Sequence, residues 1–205
     1  MIVKICGMRE GENITDVERL QPDMMGFICW AGSKRYVETR PSYLPAIPRV
    51  GVFVDAAIEE IVQKVSLLGL THLQLHGNES PGFCRTVSQV TGLPILKALP
   101  IVEESDFANC SAYVAESSVD MLLFDTKCDR HGGCGKQFNW DILQSYKHAK
   151  PFLLAGGIGP DDAHRILAIR HPAFAGVDLN SQFESRPGVK DINKLKHFIN
   201  IIRNE

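Results

Sequence analysis

The stretch PFLLAGGIGPDDAHRILAIRHP, residues 151–172, contains one complete strand–loop–helix unit. Apolar residues fill PFLLAGG (151–157), as expected of a strand that is buried on both faces. In DDAHRILAIRHP (161–172) apolar residues recur at intervals of three and four, which predicts an amphipathic helix that ends near Pro172. Such units are the building blocks of parallel α/β folds.

The same alternation of strand and helix recurs along the whole chain. Seven further apolar, β-branched runs predict strands: IVKIC (2–6), MMGFIC (24–29), RVGVFV (49–54), HLQLH (72–76), PILKAL (94–99), MLLFDT (121–126) and AGVDLNS (175–181). Clear helical patterns follow in AIEEIVQKVSLLGL (57–70), ESPGFCRTVSQVTG (79–92) and KDINKLKHFINIIR (190–203). Gly69 and Gly92 are typical helix ends, whereas the helices after the second and fifth runs are the least evident.

Eight strand–helix repeats joined by right-handed crossovers close naturally into a barrel. We therefore predict an α/β fold, a (β/α)8 TIM barrel, as a single compact domain over residues 1–205. An open doubly wound sheet is the alternative, but no G-x-G-x-x-G motif follows the first strand.

Composition excludes several classes of protein. The formal net charge is −2, and no dense Lys/Arg run suggests binding to nucleic acid. The sequence has neither an apolar run of membrane-spanning length nor the layout of a signal peptide, so we expect no membrane contact and a cytoplasmic location.

A barrel carries its active site at the carboxyl ends of its strands. The residues found there are Cys6, Trp30, Arg35, Asp55, Gln74, His76, Lys97, Asp125, Gly156, Gly157, Asp178, Asn180 and Ser181. So many polar and titratable groups at one end of the strands indicate a site for chemistry rather than a packed core.

Cys6 and Asp125 are the two candidates for proton transfer. Free cysteine is often core filler, and a carboxylate after a strand is often a cap, so each also has a structural interpretation. A carboxyl group at this position suits a general acid, whereas burial disfavours a thiolate, so Cys6 would need a stabilising partner to act as a base. Lys4, two residues before Cys6, is one such partner, although it could instead fill the barrel interior.

LLAGGIGPDDA (153–163) exposes backbone N–H groups next to a helix start. In barrels the loops after strands seven and eight commonly hold phosphate. Gly156 and Gly157, together with Asn180 and Ser181 after strand eight, therefore predict a phosphomonoester substrate, with a simple turn as the alternative.

Arg35 and His76 are candidates for substrate binding. Arg35 follows strand two, where its planar guanidinium could grip a carboxylate or be a solvated surface group. His76 could bind substrate or act as a hydrogen-bonded strand cap.

Cys128, His131 and Cys134 have a spacing that superficially suggests zinc. A structural zinc site needs a fourth ligand, and none is evident. We expect a loop at 128–137 and no metal.

Nine segments occur in an order that identifies a family: KICGM, GFICWAGSKRYV, VGVFVD, LQLHGNE, LLFDT, GGCGKQFNW, LLAGGIGPDD, GVDLNSQFE and PGVKD. Together they resemble phosphoribosylanthranilate isomerase, an enzyme of tryptophan biosynthesis, over essentially the whole chain. The resemblance implies a cofactor-free Amadori rearrangement of N-(5′-phosphoribosyl)anthranilate. For the assembly state, monomer and homodimer stay open as alternatives.

The resemblance also implies roles for particular residues. Cys6 matches the general base, and Asp125 matches the general acid. Arg35 would bind the anthranilate carboxylate, and Asp178 matches a polar residue near the sugar. The remaining expected binding residues are His76, Gly156, Gly157, Asn180 and Ser181.

The sequence departs from the family pattern at two positions. Gln182 stands where a glycine is usual, and Cys134 replaces a threonine, so both bear on affinity more than on reaction type. The alternatives are another phosphosugar barrel, such as a metal-dependent ribulose-phosphate epimerase or an indole-glycerol-phosphate synthase using Lys97, and a noncatalytic phosphate sensor or zinc-loop protein.

Overall fold

The structure, a computed structural model, describes residues 1–126 and 137–204. Eight parallel strands close into a barrel in which each strand pairs with the next and the last pairs with the first. They are β1 (Ile2–Cys6), β2 (Met24–Ile28), β3 (Arg49–Phe53), β4 (His72–Leu75), β5 (Ile95–Ile101), β6 (Val119–Thr126), β7 (Phe152–Leu154) and β8 (Phe174–Leu179). The predicted (β/α)8 barrel is confirmed.

The helices pack outside the strands. They are α1 (Gly11–Glu18), α2 (Ile58–Leu68), α3 (Pro81–Thr91), α4 (Cys110–Ala115), α5 (Ala163–Leu167) and α6 (Ile192–Asn204). Short 3-10 turns at Glu104–Asn109, Trp140–Ser145, Pro160–Asp162 and Ser181–Phe183 replace or extend helices. Among the described residues, no helix combines the length and apolar content that crossing a membrane requires.

Local sequence explains where two of these helices begin and end. α3 begins after Ser80, whose hydroxyl accepts a hydrogen bond from the Phe83 N–H, and Pro81 occupies its first turn. α2 and α3 end at Gly69 and Gly92, whose left-handed φ values of +56° and +66° suit glycine. The glycine stop signals are therefore confirmed.

Two connections differ from the regular pattern. No helix forms in residues 29–48, where Pro41, Pro45 and Pro48 interrupt the chain and remove backbone donors. α5 ends at Leu167, short of the predicted end at Pro172, because His171 instead contacts the Tyr146 carbonyl and the Ala173 N–H in a turn.

The strands alternate between two environments. On β1, Val3 and Ile5 belong to the large core between barrel and helices, whereas Lys4 and Cys6 face the barrel interior with Asp178. A smaller apolar cluster lies on another part of the interior: Leu96, Ala98, Leu123, Leu153 and Ala155. The interior is thus apolar on β5–β7 and polar where β8 meets β1.

An unpredicted antiparallel hairpin follows β8. It consists of β9 (Glu184–Arg186) and β10 (Val189–Lys190), and Pro187 at its turn reaches the mouth of the barrel. The hairpin brings the side chains of Glu184 and Lys190 back to the ends of the barrel strands.

Candidate active site

A cavity of about 650 Å³ opens at the carboxyl ends of the barrel strands. All nine candidate site residues line it: Cys6, Arg35, His76, Asp125, Gly156, Gly157, Asp178, Asn180 and Ser181. They come from six different strand ends or the loops that follow them, so only barrel closure brings them together.

Cys6 lines this cavity, and the residue is 4% exposed. Space for it exists because Gly26 lies opposite on β2, where a Cβ atom would stand 2.7 Å from Sγ. The chain then turns away at Gly7, which has φ +81° and leaves no room for a side chain beside Arg35 and Asn180. Burial raises the pKa of the Cys6 thiol, against an opposing effect of Lys4.

An ion pair lies beside that thiol. Lys4 Nζ is 2.9 Å from Asp178 Oδ2, and the two residues face each other in the β1–β8 register. Burial acts to lower the pKa of Lys4, but the charges of Asp178 and Cys6 outweigh it and raise that pKa. Burial raises the pKa of Asp178, and Lys4 opposes this. Asp178 Oδ1 accepts no hydrogen bond from the described residues.

Asp125 is held at the end of β6 by two contacts. Its Oδ1 accepts the Thr126 N–H at 2.8 Å, and its Oδ2 lies 3.2 Å from His76 Nε2. Gln74 Nε2 lies 2.7 Å from the other ring nitrogen of His76, so the amide donates there and the ring donates to Asp125 through Nε2. This chain of contacts fixes the orientation of the Asp125 carboxyl group.

Two glycines follow β7, where the cavity meets the α5 side of the barrel. Gly156 and Gly157 have φ values of +85° and +68°, which point their backbone groups in directions that other residues rarely allow. A Cβ atom on Gly156 would lie 2.7 Å from Asp125 Oδ1. The loop thus lies directly against the carboxyl group while exposing backbone to the cavity.

Arg35 is fixed by the hairpin. Its Nε and Nη2 donate to the two oxygens of Glu184 at 2.8 and 2.7 Å, and Lys190 Nζ donates to Glu184 Oε1 and to Asn180 Oδ1, each at 2.8 Å. Burial acts to raise the pKa of Glu184, but Arg35 and Lys190 outweigh it and lower that pKa.

Two of the residues expected at the mouth of the barrel, Lys97 and Asp55, do not line the cavity. Lys97 faces the helix layer, where Nζ binds Glu79 Oε2 at 2.9 Å and the carbonyls of Leu75 and Gly77. The error arose because strand residues alternate in direction, and Leu96 and Ala98 are the neighbours that face inward. Asp55 likewise lies outside the cavity lining and receives the Asn78 N–H.

Sequence reasoning missed three residues that contribute to the site: Glu184, Lys190 and Gly26. Lys190 lies in the PGVKD segment and Glu184 in GVDLNSQFE, so the signal for both was their presence in segments shared with a family. Gln182 is exposed, and its side chain does not line the cavity.

The cluster whose spacing superficially suggests zinc, Cys128, His131 and Cys134, lies outside the described residues. Within residues 1–126 and 137–204, no group of three or more His, Cys, Asp or Glu side chains is arranged to hold a metal ion.

The fold and the cavity define a class: this is a (β/α)8-barrel enzyme with its site at the carboxyl ends of the strands. The family model described as N-(5′-phosphoribosyl)anthranilate (PRA) isomerase matches residues 3–201. The chain therefore belongs to the N-(5′-phosphoribosyl)anthranilate isomerase family, and the expectation of an isomerase of tryptophan biosynthesis is confirmed.

Relatives with that name cover nearly the whole chain. The isomerase of Parabacteroides distasonis is 50% identical, over 97% of this chain and 92% of the relative. The isomerase of Phocaeicola vulgatus is 46% identical, over 99% of this chain and 98% of the relative.

Solved structures give the same result. The enzyme of Thermus thermophilus superposes with a TM-score of 0.85 at 28% identity, over 100% of this chain and 99% of that one. A structure described as monomers of the dimeric Thermotoga maritima enzyme gives a TM-score of 0.81 at 28% identity. An isomerase in complex with reduced 1-(o-carboxyphenylamino)-1-deoxyribulose 5-phosphate gives a TM-score of 0.80 at 27% identity. Each match covers 100% of both chains.

Proposed function

We propose that the cavity converts N-(5′-phosphoribosyl)anthranilate into 1-(2-carboxyphenylamino)-1-deoxyribulose 5-phosphate, with Asp125 as general acid and Cys6 as general base. The observation that carries this proposal is the convergence of one thiol and one carboxyl group, from β1 and β6, on a single cavity. Two proton-transferring groups on separate strands can reach different atoms of one sugar.

The first step belongs to Asp125. Its carboxyl group donates a proton to the ribose ring oxygen, and the furanose opens to a Schiff base with the anthranilate nitrogen. Thr126 and His76 hold the carboxyl group while Gly156 leaves it space, so its orientation is fixed before the substrate arrives.

The second step belongs to Cys6. The electron-poor iminium acidifies C2′, and the thiolate of Cys6 removes that proton to give an enolamine, which tautomerises to the ketone. Burial raises the pKa of the thiol, which opposes formation of this thiolate, and Lys4 acts in the other direction. These steps use side chains alone and call for no cofactor or metal.

We assign the substrate's two anionic ends to two different sets of residues in the cavity. Gly156 and Gly157, with Asn180 and Ser181, hold the phosphate through exposed backbone and side-chain donors. Arg35 meets the anthranilate carboxylate through the edge of its guanidinium that Glu184 leaves open. His76 and Asp178 face the sugar between them.

We also propose one domain over residues 1–205, a cytoplasmic location, and a monomer or homodimer with no nucleic-acid or membrane partner. Pairing of β1 with β8 joins the two ends of the chain and supports the single domain. The relative from Thermotoga maritima is described as dimeric, which supports the dimer. Sedimentation equilibrium distinguishes the two assembly states.

Turnover by the purified protein tests the proposed reaction. The substrate is supplied with a chelator and without added metal, and the product is identified by NMR. We expect the ketose phosphate, with the same rate when chelator is left out. A folded protein that leaves the substrate unchanged would contradict the proposal.

A further inference from the structure

Lys4 is a buried cation in the barrel interior, and no step of the proposed reaction uses it. The residue is 0% exposed and lies two positions before Cys6 on β1, so both side chains point to the same interior face of the barrel. Its Nζ is 2.9 Å from Asp178 Oδ2, but it has no aligned hydrogen-bond acceptor among the described residues. A buried ammonium is costly unless it is paired, and the ion pair with Asp178 offsets part of that cost while leaving the ammonium on the same face of β1 as the thiol.

The charged groups that face Cys6 come from several elements. Lys4 approaches from β1 itself, Asp178 from β8, Lys190 from β10, and Arg35 from the loop after β2; the thiol of Cys29 also lies within electrostatic range. Lys190 and Arg35 are already bound to Glu184. Lys4 differs from them because its ammonium has no aligned hydrogen-bond acceptor among the described residues. A thiolate at Cys6 could supply that acceptor.

We propose that Lys4 is the positioning residue for Cys6, that its ammonium stabilises the thiolate, and that Asp178 competes with the thiolate for that ammonium. This inference rests on the proposed function of Cys6 as the base. The single positive charge of Lys4 stabilises two negative groups, the Asp178 carboxylate and the Cys6 thiolate. Weakening its interaction with one of them therefore strengthens its interaction with the other. Removal of Lys4 and removal of the Asp178 charge must then change the ionisation of Cys6 in opposite directions.

The test is a pH titration of the substrate-free protein by the ultraviolet absorbance of the thiolate. Each spectrum is corrected with the Cys6→Ser variant in the same background, which isolates the Cys6 signal. Lys4→Met is expected to raise the midpoint by about one to three pH units, and Asp178→Asn to lower it by a similar amount. Lys64→Met, which removes a buried lysine outside the cavity, is the control and should leave the midpoint unchanged.

Lys4→Met leaves the Asp178 carboxylate buried without its cation, and it could fail to fold. The double variant Lys4→Met/Asp178→Asn removes both charges, and its midpoint should lie above that of Asp178→Asn alone. Unchanged midpoints, or shifts of Lys4→Met and Asp178→Asn in the same direction, would overturn the inference.

Turnover separates this inference from the proposed function. Asp178→Asn should shift the rise of kcat/KM with increasing pH to lower pH, in step with the titration midpoint of the substrate-free protein. Full turnover by Cys6→Ser would defeat the assignment of Cys6 as the base. An inactive Cys6→Ser variant together with unmoved titration midpoints would defeat the role of Lys4 alone.

Discussion

At the scale of single residues, Gly26 controls how much space the thiol of Cys6 has. The two residues are partners in the β1–β2 register, and a Cβ atom on Gly26 would also stand 3.1 Å from the Cys6 Cα. Backbone and thiol would both have to move, in a barrel whose strands are tied on both sides. The glycine is therefore part of the geometry that places the base.

Gly26→Ala is expected to lower kcat by about 10- to 100-fold, because a displacement near 1 Å is enough to misalign a reacting group. Steady-state kinetics measures this, with circular dichroism to check folding. Gly82→Ala is the matched control, since a Cβ atom there meets nothing closer than 3.8 Å. A Gly26→Ala variant as active as the control would show that the thiol has more freedom than the structure indicates.

At the scale of elements, the hairpin β9–β10 depends on the charge of Glu184. That carboxylate holds Arg35, Lys190 and the Gly188 N–H at once. The pKa of Glu184 is lower in the folded protein than in the unfolded chain, where the pKa of glutamate is about 4.3. A lowered folded pKa gives stability that is present above the unfolded pKa and lost as pH falls through the folded one.

Glu184→Gln is therefore expected to lower the free energy of unfolding at pH 7 and to flatten its decline below about pH 4.3. Urea unfolding at a series of pH values measures both effects. Glu38→Gln, at an exposed position, should follow the parent curve. If Glu184→Gln lost stability on acidification as steeply as the parent, the ion pairs would not be stabilising the fold.

The cap of α3 gives a second prediction at this scale. Ser80→Ala removes the acceptor for the Phe83 N–H and is expected to cost about 1 kcal/mol of stability. Ser66→Ala, inside α2 and exposed, should slightly raise stability because alanine is the better helix former. Equal urea midpoints for the two variants would contradict the capping role; kcat should stay unchanged in both.

At the scale of the whole molecule, closure of the barrel is what assembles the site. Cys6 and Asp178 lie on strands at opposite ends of the chain, and only the pairing of β1 with β8 makes them neighbours. The eight strands could be predicted from sequence because strands buried on both faces are continuously apolar. Strand ends then predicted which residues meet in the cavity.

Other features could not be predicted because they depend on side-chain direction or on distant contacts. Lys97 was placed at the mouth, but strand alternation directs it to Glu79 in the helix layer. The bonds of Glu184 to Arg35 span 149 positions in the sequence, and no local pattern reports them. The position of Gly26 opposite Cys6 likewise requires the strand register.

The central claim is that Cys6 and Asp125 are the base and acid of one reaction. The most direct test compares kcat of the parent with that of Cys6→Ser and Asp125→Asn, while affinity for a reduced product analogue checks that the cavity is intact. We predict losses of about 10²- to 10⁴-fold in kcat for each variant, with affinity close to that of the parent. A parent-like kcat in either variant would contradict the claim.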